Sequence, residues 1–204
     1  VVVNYDMSDN DGGTDSSTVT ITVTGSNDAP VLGNATVGQG ITINGVNQYL
    51  NVEADPDLRP ADWTIEAWVR TTDDGSGYNR VITAPVGGGQ TYSLLVHNGL
   101  AHVRLDNGIA RQVEVGEVSD GLWHHMAGTF DSTSNTLSLY VDGALSGSVN
   151  VGSGASHTGA EDIAIGRFSR GYGQHFDGDI ADVRIWSEAR DAATIATTYD
   201  QPLD

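Results

Sequence analysis

Trp63-Thr64-Ile65-Glu66-Ala67-Trp68-Val69-Arg70 is the stretch from which the fold can be read. One parity carries Ile65, Ala67 and Val69, and the other Glu66, Trp68 and Arg70. Successive side chains of a strand point to opposite faces, so this alternation places one face between two sheets and leaves the other outward. Whether Trp68 belongs to a core or to a surface platform stays open at this point.

Working outward, similar runs recur every ten residues or so: Tyr49–Glu53, Arg80–Ala84, Thr91–His97, Ala101–Leu105, His124–Phe130, Thr136–Val141, Asp162–Gly166 and Gly178–Trp186. Turn pairs such as Asn98-Gly99, Asn107-Gly108 and Asp142-Gly143 separate them and supply the positive φ values that tight hairpins need. Short strands at this spacing predict a sandwich or barrel, not alternating strands and helices. Only Asp191–Thr198 reads as a helix, with Asp191 as its N-cap.

The chain has 204 residues, with 9 basic and 27 acidic side chains and a formal net charge of -18. That balance argues against nucleic acid and anionic membranes as partners, because both would be repelled. All nine basic residues are arginines, and most acids are aspartates, which suit turns and calcium loops. Cysteine is absent, so disulfides and thiolate zinc sites are excluded. No apolar run approaches the roughly 20 residues of a membrane helix, so no membrane insertion is expected.

Four further stretches occur in order: Asn47-Gln48-Tyr49-Leu50-Asn51-Val52; Gly121-Leu122-Trp123-His124-His125-Met126-Ala127-Gly128-Thr129-Phe130-Asp131; Leu139-Tyr140-Val141-Asp142-Gly143; and Ile163-Ala164-Ile165-Gly166 followed by Gly178–Trp186. With Trp63–Arg70, this ordered set resembles the laminin-G-like and pentraxin branch of the concanavalin-type jelly roll, over roughly Val31 to Tyr199. The resemblance implies an all-β, two-sheet antiparallel jelly-roll sandwich with a short C-terminal helix, occupying residues 31–204.

Residues 1–30 read separately, as two strands and a linker. Thr18–Thr24 alternates Thr with Val and Ile, Ser8–Asp15 forms a polar turn, and Asn27-Asp28-Ala29-Pro30 ends the ladder. This segment resembles the closing part of cadherin-like (VCBS-type) repeats of large bacterial adhesins, hence an N-terminal β-hairpin from a preceding Ig/cadherin-like repeat. The opening Val1-Val2-Val3 reads as mid-strand, which points to a longer chain with flanking domains. In that family calcium stiffens the rod, and the resemblance carries this role to Asp9, Asp11 and Asp28; a plain polar turn is the alternative.

The jelly-roll superfamily includes glucanases, whose paired carboxyls follow Glu-x-Asp-x-x-Glu on one strand. Glu53-Ala54-Asp55-Pro56-Asp57 lacks the second glutamate, and Pro56 is unsuited to a paired strand. His124 and His125 are adjacent, so they point to opposite faces and chelate poorly. No enzyme is expected.

In pentraxin relatives two loops hold a pair of calcium ions. Here those loops carry Gln90 near Tyr92, and Arg167, Arg170, Tyr172, Gln174 and His175. Arginine forks, aromatic faces and amides suit sugar hydroxyls or a carboxylate or sulfate. Arg167 and Arg170 could instead neutralise Asp162, Asp177 and Asp179. Asp73 and Asp74 lie in an oxygen-rich loop suited to calcium or to plain solvation, and Asp182 sits one residue from the superfamily's structural calcium ligand. The expectation is therefore an extracellular, bacterial-surface adhesin module that binds carbohydrate on a cell surface with calcium as cofactor. A ligand-free spacer and a protein- or peptide-binding domain are the alternatives.

Overall fold

The computed structural model describes residues 2–8, 14–20, 40–74, 77–86, 89–106, 110–152, 161–168 and 174–201. Strands β1 (Val2–Ser8) and β2 (Thr14–Thr20) form an antiparallel hairpin from Val2↔Thr20 to Ser8↔Thr14. The second strand thus begins earlier than the Thr/Val alternation indicates. The hydroxyl-rich Thr14–Ser17 stretch carries no apolar signal, yet its backbone closes the ladder opposite Tyr5–Ser8. Asp9, Asp11 and Asp28 lie outside the described residues.

Two six-stranded antiparallel sheets form the sandwich. In chain order the strands are β3 (Ile41–Asn44), β4 (Leu50–Val52), β5 (Trp63–Arg70), β6 (Asn79–Val86), β7 (Gly89–His97), β8 (Leu100–Asp106), β9 (Ala110–Glu117), β10 (His124–Asp131), β11 (Thr136–Val141), β12 (Ala144–Asn150), β13 (Ile163–Ile165) and β14 (Asp177–Trp186). The first sheet runs β12-β11-β10-β5-β14-β3 and the second β4-β13-β6-β7-β8-β9. Three strands, β3, β9 and β12, were not legible from periodicity. All three lie at or beside a sheet edge, where polar residues are tolerated on both faces. β12 is rich in Ser and Gly, and its Gly147 has a reason: a Cβ there would come 2.8 Å from Val113 Cγ1.

Trp63, Ile65, Ala67 and Val69 enter the shared core, as the alternation requires, and meet Tyr92, Leu94, Val96, Val103 and Phe130. The Trp63 ring lies 5.3 Å from Tyr92 and 6.0 Å from Phe130, a tilted aromatic cluster at the centre of the sandwich. The sheets approach closely at Gly128, where an added Cβ would stand 2.4 Å from Val103 Cγ2.

The outer face of the first sheet is covered by helix α1 (Ala192–Thr198) and the segments flanking it. Asp191 caps the helix, accepting from Thr194 N at 2.7 Å. Ile195 packs on Ala127 and Tyr140, and Tyr199 stacks on Trp68 at 6.1 Å. Trp68 is therefore neither central core nor open platform, but a wall under the helix. Beneath it, the buried Glu66 carboxylate accepts from Arg190 Nη1 at 2.8 Å and meets His125 Nε2 at 3.0 Å. Burial alone would raise Glu66, but the hydrogen bond and electrostatic influence of His125, then of Arg190, hold it below its ordinary value. Arg184 fastens the chain end by donating to the carbonyls of Thr198 and Gln201 at 3.4 and 2.6 Å.

Candidate functional site

With α1 on the first sheet, the polar face that invites a ligand is the outer face of the second. Along β8, Ala101, Val103 and Leu105 point into the core, so His102, Arg104 and Asp106 point outward. On β7 the outward parity is Ser93, Leu95 and His97. Pairing aligns these into two rows across the strands. One runs Thr83–Ser93–Arg104–Gln112, the other Arg80–Leu95–His102–Glu114.

Arg80 forms the floor and is only 4% exposed. Its Nη1 donates to Ser93 Oγ at 2.9 Å and its Nε to Gln174 Oε1 at 3.0 Å. Its guanidinium lies over the rings of Tyr78 and Phe168, at 5.1 and 5.0 Å. Burial, then the charge of Arg104, lowers Arg80 to about 10, with Tyr78 opposing. Arg104 Nη2 donates to Asp106 at 3.2 Å, while its buried Nε has no partner among the described residues. Two guanidiniums therefore share one small area in a chain of net charge -18.

His102 is fully buried, and neither ring nitrogen makes a well-formed hydrogen bond. Burial, then the nearby His97, Arg104 and Arg80, pushes it down to about 3 against a weaker contact from Gln112, so it is neutral at pH 7.

The segment bearing the predicted second loop is pinned at both ends. Gly166 N donates to Val81 O at 2.9 Å, and Phe176 N returns to Gly166 O at 2.8 Å. Gly166 has φ +86°, and a Cβ there would strike Ile43 Cδ1, so the pinch demands glycine. Of the predicted residues, Gln174 joins the face through Arg80. Arg167 stands beside it with its guanidinium 3.4 Å from the Tyr49 ring centroid. His175 is held below its ordinary value by burial and by Arg167. Asp162 accepts from Asn51, and Asp179 accepts from Arg70 and Thr42. Arg170 and Tyr172 lie outside the described residues, and Gln90 is described only as part of the β7 backbone.

Two predicted residues sit elsewhere. Tyr92 points inward on β7, fully buried against Trp63, with its hydroxyl donating to Leu58 O at 2.7 Å. Burial raises its phenol strongly, and it presents no stacking face. Asp182 lies at a β-bulge with φ +50°, and Arg184 grips both its oxygens, so its carboxylate answers an arginine. Asp73 N donates to Thr71 Oγ1 at 2.9 Å, and Asp74 accepts Gly99 N through its backbone, which ties that loop to the β7–β8 turn. Asp55 caps the 3-10 turn Pro56–Leu58, accepting from Asp57 N at 2.9 Å, so Glu53 and Asp55 do not share a continuous strand. His124 and His125 take opposite faces: His124 bridges Asp120 and Asp142 at 3.1 and 2.9 Å, and His125 reaches Glu66.

Sequence reasoning missed Arg80, His102, Arg104 and Glu114. The signal was present in Ala101–Asp106, where one parity is apolar and the other is His102, Arg104 and Asp106. Reading loops for ligands and strands for core hid it.

Comparison with known proteins agrees with this architecture. Residues 44–196 match the Laminin_G_3 family model, described as the concanavalin A-like lectin/glucanases superfamily. The rat sushi, von Willebrand factor type A, EGF and pentraxin domain-containing protein 1 is 28% identical over 130 residues. That match covers 60% of this chain and 4% of the rat protein, so the chain spans a small part of its relative. The Ruminococcus gnavus IT-sialidase CBM40 bound to α2,3-sialyllactose superposes with a TM-score of 0.61 at 16% identity, covering 78% of this chain and 96% of that one. Domains LG4-5 of the mouse laminin α1 chain give 0.60 at 18%, covering 84% and 48%. At these identities the structural likenesses establish the fold. The chain belongs to the Laminin_G_3 family of concanavalin A-like jelly-roll domains.

Proposed function

We propose that this domain is a non-catalytic, lectin-like module that binds an acidic carbohydrate on the outer face of its second sheet. The observation that carries the reading is the nearness of Arg80, held among Tyr78, Phe168, Gln174 and Ser93, to Arg104, the cross-strand neighbour of Ser93, on a molecule of net charge -18. Arg80, fixed by its two hydrogen bonds and two rings, supplies positive potential and a rigid floor. Arg104 is the reading group, because its side chain is 19% exposed beside its ion-pair partner Asp106 and a fork of donors suits a carboxylate or sulfate. Gln112 extends the same row with an amide for sugar hydroxyls. The sialyllactose-bound structural neighbour supports the class of ligand, since sialyllactose is an acidic glycan.

Display outside a bacterial cell, within an adhesin, is part of the same proposal and rests on the N-terminal segment's likeness to adhesin repeats. Calcium is assigned to the aspartate-rich turns, away from the arginine face, because calcium takes six to eight oxygen ligands, which the arginine face does not supply. The test is a glycan array with sialylated, uronate and sulfated oligosaccharides, run with calcium and with chelator, on the parent and on Arg104→Ala. We expect acidic glycans to bind the parent and to lose at least tenfold in affinity on Arg104→Ala. Unchanged binding by Arg104→Ala would place the ligand elsewhere.

A further inference from the structure

On this same face, next to the two arginines, His97, His102 and Glu114 meet on three consecutive strands, and their ligand atoms all lie within 4.8 Å of one another. His97 Nδ1 is 3.0 Å from Glu114 Oε1, and His102 Nδ1 is 3.4 Å from Glu114 Oε2. Two ligands of a tetrahedral zinc ion, each about 2.0–2.1 Å from the metal, sit about 3.3 Å apart. The two separations, one to each oxygen of Glu114, lie near that value, so a small shift of the carboxylate brings one oxygen within reach of a metal shared with both imidazoles. We propose that His97, His102 and Glu114 form a binding site for a divalent transition metal of the zinc class, with its fourth position open.

Three features favour a metal over a simple ion-pair cluster. First, His102 is fully buried with both ring nitrogens lacking a well-formed hydrogen bond, an arrangement that native interiors avoid unless something else satisfies it. Second, the ligands are preorganised on a rigid sheet. Tyr78 stacks on the His97 ring at 4.5 Å and meets His102 edge-on at 6.1 Å, fixing both planes. A bulge adds one residue to β9 between Glu114 and Glu117, re-aims Glu114, and is absorbed at Gly116 with φ +86°. Third, the chemistry selects the ion. Two imidazoles and one carboxylate suit zinc and its neighbours, whereas calcium asks for six to eight oxygens. The charges of Arg80 and Arg104 oppose a dication here and will set the affinity below that of an uncharged surround.

The site shares the outer face of the second sheet with Arg80 and Arg104 but is tested without any glycan, so either reading can fail alone. Whole, chelator-stripped protein is titrated with Zn2+ by calorimetry at pH 7, with Ca2+ as the comparison. The expected result is one Zn2+ per chain, not displaced by millimolar Ca2+. His97→Ala and Glu114→Gln, both at part-exposed positions, should fold normally by circular dichroism and lose about 100-fold or more in Zn2+ affinity, beyond the 10–100-fold of an outer-shell change. Co2+ in place of Zn2+ should give visible d–d bands that vanish in His97→Ala. His124→Ala, which removes the separate His124–Asp120–Asp142 cluster, should leave binding unchanged. No Zn2+ binding to the parent, equal binding by His97→Ala and Glu114→Gln, or loss only in His124→Ala would each overturn the assignment.

Discussion

Replacing Arg190 with methionine should unfold this domain at a markedly lower temperature, for a reason visible beneath α1. Arg190 is 8% exposed and donates to the fully buried Glu66, to Thr198 Oγ1 at 3.0 Å, and from its backbone to Thr64 at 2.9 Å. Its guanidinium also lies 4.2 Å from the Trp186 ring centroid. Methionine fills much of the same volume but leaves the Glu66 carboxylate with His125 alone. Stranding one partner of a buried ion pair costs about 3–5 kcal/mol. For a domain of this size about 2–4 °C of melting temperature is lost per kcal/mol, so Arg190→Met should melt about 6–20 °C below the parent. Differential scanning calorimetry at pH 7, with urea denaturation beside it, reads the effect. The pH dependence supplies a second test. Glu66 is held below its ordinary 4.5, so its contribution is present above that value and is lost as pH falls through the depressed folded value. Removing Arg190 should move that acid-induced loss to higher pH. The double replacement Glu66→Leu with Arg190→Met should recover most of the stability, because an apolar pair strands no charge. A melting temperature within 2 °C of the parent for Arg190→Met, with an unmoved acid transition, would refute the reasoning.

Gly128→Ala should cost about 1–3 kcal/mol by overpacking, since its Cβ would stand 2.4 Å from Val103 Cγ2, and Val103→Ala should partly rescue it in a double-mutant cycle read by urea unfolding. Burial would lower His124, but hydrogen bonds and charges of Asp142 and Asp120 raise it above 6.5. Its stabilisation is therefore complete below pH 6.5 and lost as pH rises through the raised folded value; His124→Gln should flatten the fall in melting temperature over that interval. Arg184→Ala removes the donor to Thr198 O and Gln201 O, so amide exchange in Ala192–Thr198 should quicken before global stability changes, as seen by hydrogen exchange.

The sandwich was legible because the alternation at Trp63–Arg70 and the regular spacing of short strands allow only a sandwich or barrel, and the resemblance selects the jelly roll. β9 and β12 were not, because their residues answer to a neighbour: Gly147 is there for Val113, not for strand propensity. The site was legible in part. Gln174 could be placed through the likeness to the pentraxin loops, whereas the pinch at Gly166 depends on contacts with Val81 and Ile43 that lie far away in sequence. Tyr92 could not, because a single tyrosine near a loop carries no mark of parity until its strand pairing is known. His102 and Arg104 were hidden for the opposite reason, as polar residues in a strand read as plain solvent-facing positions. Only the neighbouring strands reveal that Arg80, Glu114 and Arg104 converge there.

The position of β5 at the centre of the first sheet bears on how the chain reaches its native state. Its two hydrogen-bonded neighbours are β10 and β14, the second of which begins only at Asp177. During synthesis at about 5–20 residues per second, the apolar edge of Trp63–Arg70 waits roughly 5–25 s before its last partner is made. Long-range pairing of this kind also folds slowly once complete. An emerging chain thus carries an unpaired, Trp-bearing strand for many seconds, the interval in which a chaperone, or aggregation, has access to it.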